Sequence, residues 1–407
     1  MRSRRTARST ASWSERPDSL DAGRPRRRIY LDYAGFAPVD PRVLAVMTPF
    51  LEGWVGKPSA FHALGEEAGE SLAAARAKVG RLVGGRAEGV VFTSGATEAN
   101  NLAIKGVALR GPGRHVVTGA IEHTSVLTPC RDLVKAGFEL TVVPVDAEGR
   151  VDPDRVRAAL RTDTCLVSVG AANPEVGTLQ PWRAIAGVTQ AAGVPLHVDG
   201  VGAVGRAPLA VEADGVDLLT LASNDLYGPP GVGALWVRPG LKLVPQILGG
   251  GQEGGLRSGT ENLAGVVGLG VAAELMLRDG TEEATRLAAL RDELIAGLAA
   301  ACPAARLTGA RSLRLPHHVS FAVPGVKGES LLLALDLVGI SVSTGSACAT
   351  LTREPSHVLR ALGLDARTAD GALCLTLGRW TRAEDIRALL LELGPIVERL
   401  RAVSPFA

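Results

Sequence analysis

The chain has 407 residues, 46% hydrophobic and 21% charged, with a formal net charge of +2. Those are the proportions of an ordinary soluble globular protein of two domains, and no run approaches the ~20 apolar residues of a membrane span. The charge is uneven: residues 1–28 carry nine arginines against Glu15, Asp18 and Asp21, about +6, which leaves the rest near −4.

That opening segment lacks an apolar core and is no secretory signal. It is expected to be a disordered extension, with an electrostatic hook for nucleic acid as the less favoured reading. Next, Ile29–Arg42 reads as an extended entry leading into a helix, and residues 66–83 as an amphipathic helix with Leu72, Val79 and Leu82 on one side. Short apolar strands then alternate with helical segments: Val90–Thr93, His115–Thr118, Leu140–Val145, Cys165–Val169, Pro195–Val198, Leu218–Ala222 and Ala234–Val237. Scarce aromatics, at 4%, and abundant Gly and Pro agree with an α/β protein of many tight turns. Such alternation predicts a mostly parallel sheet with helices on both faces, its ligands held beyond the carboxyl ends of the strands. An Ala/Leu-rich helix is expected over about 264–301, and a smaller α+β unit over 315–403 that ends in an amphipathic helix around Ala383–Leu400. The expected organisation is therefore a tail (1–28), a large domain (44–275) and a small domain made of 29–43 with 276–407. The five cysteines, 130, 165, 302, 348 and 374, show neither metal-type spacing nor a disulfide framework, so no metal is expected and a reducing cytoplasm is the natural compartment.

Several motifs fall at the predicted strand ends. Thr93-Ser-Gly-Ala-Thr97 follows a strand and opens a helix, where small residues let backbone N–H groups approach an anion. Read alone it is equally a plain N-cap formed by Ser94 or Thr97. Glu122-His123 also lies between a strand and a helix, and Leu196-His-Val-Asp199 ends a strand in an acid that could simply be a helix cap. In Val342-Ser-Thr-Gly-Ser-Ala-Cys348-Ala the cysteine stands among Gly, Ser and Ala, which is not a core-packing environment. A reactive thiolate on an accessible loop is the chemistry such a setting suits.

The most specific motif is Gly249-Gly-Gly-Gln-Glu253-Gly-Gly-Leu-Arg257-Ser-Gly-Thr260-Glu-Asn262. It resembles the Gly-Gly-Gly-Gln-Glu-Arg-Gly-Leu-Arg-Ser-Gly-Thr-Glu-Asn stretch of the cysteine desulfurases, pyridoxal phosphate (PLP) enzymes of the class V aminotransferase group, and departs only at Gly254. The resemblance covers about 29–402. It implies the PLP-dependent transferase fold of type I, with a seven-stranded large-domain sheet, and conversion of L-cysteine to L-alanine with a persulfide left on Cys348. Ala96 and Thr97 would hold the cofactor phosphate, and His123 would stack on the pyridine ring and move protons. Asn173, in Asn173-Pro-Glu-Val-Gly177-Thr-Leu-Gln180, would touch the ring hydroxyl, and Asp199 would pair with the ring nitrogen. Thr260 would reach the phosphate of the other protomer, which implies a homodimer with shared sites.

The departures fall on the same site. The family's Ser-x-His-Lys-x-Tyr-Gly-Pro-Lys-Gly is similar to Ala222-Ser-Asn-Asp225-Leu-Tyr-Gly-Pro-Pro-Gly231, so Asp225 replaces the lysine that bonds the cofactor and Asn224 the histidine before it. Gly202 stands where the family has glutamine, and Cys374 where it has the arginine that grips the substrate carboxylate. A carboxylate cannot form a Schiff base, so PLP is expected to be noncovalent or absent and desulfuration impaired or altered. Lys57, where the family usually has Asn-Pro-Ser, lies near the expected site without a demonstrable substituting role. Three readings stay open: a divergent enzyme; a non-catalytic sulfur carrier or partner subunit of an active desulfurase, handing sulfur to an acceptor protein; or a structural or nucleic-acid-associated protein. Nucleic acid is the least expected partner.

Overall fold

The computed structural model describes residues 28–345 and 356–404. Chain entry is β1 (Ile29–Tyr30), followed by α1 (Pro41–Glu52). Asp40 caps α1 by accepting from the Arg42 amide at 2.9 Å, and Pro41 supplies the fixed φ of a first helical residue. Next comes α2 (Ala63–Leu82), then β2 (Val90–Thr93), α3 (Ala96–Ala108), β3 (His115–Gly119), α4 (Thr124–Lys135) and β4 (Glu139–Val143). The large sheet is completed by β5 (Thr164–Gly170), β6 (Leu196–Asp199), β7 (Leu218–Ala222) and β8 (Gly233–Val237), with α5 (Pro153–Ala159), α6 (Trp182–Ala192) and α7 (Val211–Asp214) between strands.

Its seven strands run in the order β2-β8-β7-β6-β5-β3-β4. All neighbours are parallel except β8, which pairs antiparallel with both β2 and β7. Strands such as Val-Val-Phe-Thr of β2 and Leu-Leu-Thr-Leu-Ala of β7 are buried throughout, as expected where helices cover both faces. The edge strand β4 is more exposed, with Glu139 and Val142 exposed and only Val143 buried. It begins and ends earlier than the Leu140–Val145 run expected from the sequence, because Glu139 pairs with His115 and extends the ladder backwards.

The long α8 (Leu263–Ala301) joins two cores. Its first half, including Val266, Leu269 and Ala273, packs into the core beneath the large sheet. Gly270 permits this approach, since a Cβ there would lie 2.8 Å from the Ala75 backbone of α2. Its second half, with Leu287, Leu294 and Leu298, belongs to a separate core around β10 (His318–Ala322), α9 (Gly328–Leu337) and α12 (Ala383–Ala402). There β12 (Ala372–Thr376), β10 and β9 (Arg306–Leu307) form an antiparallel sheet, and β1 pairs with β11 (Ile340–Ser341). The short α10 (His357–Ala361) and α11 (Ala366–Asp370) complete the described residues, none of whose helices is long and apolar enough to cross a membrane.

Candidate functional site

The residues singled out by motif collect beyond the carboxyl ends of β2, β3, β5, β6 and β7. After β2, Gly95 takes φ 152°, a conformation that favours glycine, and leaves open space where a Cβ would project. Ala96 and Thr97 open α3, Thr97 exposed. Glu98 ties the turn down, accepting from the Ser94 amide at 2.8 Å and from Arg257 Nε at 2.9 Å.

His123 is the N-cap of α4. Its Nδ1 accepts from the Ser125 amide at 3.1 Å and lies 2.7 Å from Ser125 Oγ. An amide donor needs a lone pair on Nδ1, so the neutral ring carries its proton on Nε2. Asn100 of α3 donates to Ser125 Oγ and to Asp199 Oδ2, both at 2.8 Å, and the Val201 amide donates to Asp199 Oδ1 at 3.1 Å. A continuous chain of hydrogen bonds therefore links His123 through Ser125 and Asn100 to Asp199. Motif reasoning passed over Asn100 and Ser125. The available signal was one polar residue on the apolar face of α3, between Ala99 and Leu102.

Asp199 is buried, and burial raises its pKa, opposed by Asn100, the Val201 amide and the charge of His123. Beside it Glu122, 3% exposed, is pushed up to about 8 by burial and then by Asp199. Asp225 lies in a short 3-10 turn after β7 and is pushed up to about 6, chiefly by burial, with Arg206 opposing and Asp199 adding to the rise. Arg206 donates to the Asp225 backbone carbonyl at 2.5 Å and lies over the Tyr227 ring at 5.7 Å. Lys78 and Lys105 form ion pairs with Glu274 and Asp132, and Lys57 is exposed.

Asn173 serves the fold at both ends of its amide. Nδ2 donates to the Ile121 carbonyl at 2.6 Å, and Oδ1 accepts from the amides of Glu175 and Val176. One N–H of Nδ2 remains for a ligand. Gln180 is spent likewise, between the Val151 amide and the Gly149 carbonyl.

The loop bearing Thr260 is anchored by a bidentate pair. Arg76 meets Glu253 at 2.7 and 2.8 Å, and Glu253 also accepts from the Phe92 amide at 2.9 Å. Thr260 itself is exposed. Gly254, where relatives of this motif carry arginine, takes φ 63°.

Cys374 of β12 is buried, its Sγ 3.2 Å from His318 Nε2, which also lies 2.8 Å from the Pro174 carbonyl. Burial holds the His318 ring down at about 3, hence neutral. The nearby arginines are committed: Arg379 to Glu283 and Asp40 at 2.7 and 2.6 Å, and Arg314 to backbone carbonyls such as that of Ala310. Cys348 lies outside the described residues. Gly345 abuts Cys374 and Glu175, while His357 hydrogen-bonds the Glu122 carbonyl at 3.0 Å.

The residues present fit a pyridine phosphate in part. The open turn at Gly95 and Ala96 suits the phosphate, and Asp199, fixed by two donors, suits a ring nitrogen. Asn100 Oδ1 and Ser223 Oγ are buried without partners beside Asp199 and ahead of Asp225, the kind of loose ends a ligand would satisfy. No such fit holds for a lysine-bonded cofactor, since Asp225 stands in the lysine's position.

The model of the aminotransferase class-V family matches residues 29–389. A cysteine desulfurase IscS of Dictyoglomus turgidum is 44% identical over 383 residues, covering 94% of this chain and 97% of that protein. A cysteine desulfurase IscS 1 of Archaeoglobus fulgidus is 47% identical over 378 residues, covering 92% and 98%. Among solved structures, a NifS-like protein is similar with a TM-score of 0.86 and 35% identity, covering 92% of this chain and all of that one. The chain belongs to the class V aminotransferase family and, within it, to the cysteine desulfurases.

Proposed function

We propose that this chain is a sulfur-transfer protein of the desulfurase family that keeps the cofactor cradle but does not perform cysteine desulfuration with a lysine-bonded cofactor. The observation that carries this reading is Asp225, a buried carboxylate at the end of β7 beside Asp199. Bound PLP supplies an electron sink for bonds broken next to an amino group. For their part, Ala96 and Thr97 would bind the phosphate with backbone N–H groups, Asp199 would hold a proton at the ring nitrogen, and His123 would stack on the ring and offer Nε2–H. Asn173 would donate its remaining N–H to the ring hydroxyl. What the chain lacks is a nucleophilic amine at position 225 and a cation for a substrate carboxylate at position 374, where Cys374 and neutral His318 stand.

Homodimer formation belongs to the same reading. Leu51, Trp54, Phe61 and Leu248 are exposed large apolar side chains, Trp54 at 92%, of the kind that a second protomer would cover. A second reading, in which this chain completes the site of an active desulfurase, is favoured by the firmly anchored loop that presents Thr260 outward. Cys348 would then serve as a sulfur carrier toward an acceptor protein.

The test is direct. Purified protein dialysed after incubation with PLP should show no visible absorbance band, and no sulfide should be released from cysteine with a reductant present. Either signal would overturn the proposal. For the carrier role, incubation with an active desulfurase and cysteine should leave a persulfide on Cys348 by mass spectrometry; an unmodified thiol would rule that role out.

A further inference from the structure

The surroundings of Asp225 are short of one kind of group. Its carboxylate is met by its own backbone amide and by no side-chain donor among the described residues. Arg206 reaches the backbone carbonyl instead, and Arg206 Nε is buried without a partner. Ser223 Oγ and Asn100 Oδ1, both fully buried, are also unpartnered, and Asn100 is fastened to Asp199. Asp225 is thus set near a second carboxylate, Asp199, which has an unpartnered Asn100 oxygen beside it, while Arg206 acts on Asp225 by charge and spends its hydrogen bond on the backbone carbonyl. An aldehyde brings only lone pairs to such a place, whereas a protonated primary amine brings three N–H donors and a positive charge. Asp225 also occupies the position whose lysine, in relatives, bonds the cofactor's 4′-carbon, so the substituent on that carbon is what it would meet.

We propose that this site takes the amine form of the cofactor, pyridoxamine 5′-phosphate, in preference to the aldehyde, with the Asp225 carboxylate as counter-ion of the 4′-ammonium group. The inference rests on the reading that the cradle for phosphate and ring is retained. It turns the replacement of lysine from a loss of attachment into a change of ligand preference. The 5′-phosphate is common to all forms of the cofactor and contributes nothing to the discrimination. Asp225 alone separates them, by charge.

Isothermal titration calorimetry on the full chain should compare pyridoxamine, pyridoxal and pyridoxine 5′-phosphates, the last carrying a neutral hydroxymethyl group of nearly the same size. Pyridoxamine phosphate is expected to bind at least about tenfold more tightly than either, the worth of a charge-assisted hydrogen bond to a buried carboxylate. In Asp225→Asn the three forms should come within about threefold of one another, with circular dichroism confirming that the variant is folded. Should that variant not fold, the ranking in the unsubstituted protein still decides. Equal affinities there, or a preference that survives Asp225→Asn, would overturn the proposal while leaving the retained cradle intact. Failure of all three to bind would overturn the retained-cradle reading and this proposal with it.

Discussion

Asp225 is best understood through what its burial costs. Its folded pKa of about 6 lies above the ordinary 3.8, so between those values the folded chain holds a proton that the unfolded chain has released. Stability from this group is therefore full below about pH 4 and is lost as pH rises through about 6. Asp225→Asn, which cannot ionise, should be more stable than the unsubstituted chain by roughly 1–3 kcal/mol at pH 7, and the gap should close by pH 4. Urea denaturation at the two pH values measures it, and a gap that is constant with pH would contradict the assignment. Asp225→Lys tests the other side of the same position. Because Asp199, the open turn at Gly95 and one N–H of Asn173 remain, this variant should acquire a visible absorbance band with PLP that survives dialysis. It should still turn over cysteine poorly, since Cys374 gives the substrate carboxylate no cation.

At the scale of elements, the Thr260 loop shows how tightly a non-repetitive segment can be held. Glu253 is 3% exposed at its side chain and takes two bonds from Arg76 and one from the Phe92 amide. Removing Arg76 would strand a buried carboxylate, a change that costs about 3–5 kcal/mol in buried pairs. Arg76→Ala should accordingly lower the melting temperature and speed amide hydrogen exchange across 249–262. Unchanged exchange there would mean that Arg257 and Glu98 suffice to hold the loop. Most elements were legible in the sequence because their signal is local: β2 and β7 are uninterrupted apolar runs, and α8 is Ala/Leu-rich with a polar cap at Asn262. The antiparallel setting of β8 was not legible, because direction depends on a short connection of some ten residues after β7 and not on the strand's own composition. The Asn100–Ser125 link was hidden for a related reason, since it joins residues from two helices that only the packed sheet brings together.

For the whole molecule, the motifs pointed to the family that the comparisons show, while the hydrogen bonds joining the motif residues needed three dimensions. Ala96, Thr97, His123, Asn173, Asp199 and Asp225 all fall at or beyond the carboxyl ends of strands of the large sheet, as alternating strands and helices lead one to expect. What the pattern of residues could not show is that Cys374 leans on His318, or that Arg379, in an intact motif, is spent on Glu283 and Asp40. Assembly is the property that reaches furthest beyond a single chain. If Trp54 and Phe61 lie in the proposed homodimer interface, replacing both by Asp should leave a monomer in sedimentation velocity, with the melt of each chain shifted little because both side chains are exposed. A dimer that persists would place the interface elsewhere.

Asn173 and Gln180 also bear on descent. Each is hydrogen-bonded into the backbone of its own loop, so a lineage that had given up cysteine chemistry would still be selected to keep them, simply in order to fold. Their presence therefore says little about present activity. The informative positions are those with no duty to the scaffold, and here 225 and 374, which in the family motif carry a lysine and an arginine for cofactor and substrate, depart together with 202 and 224.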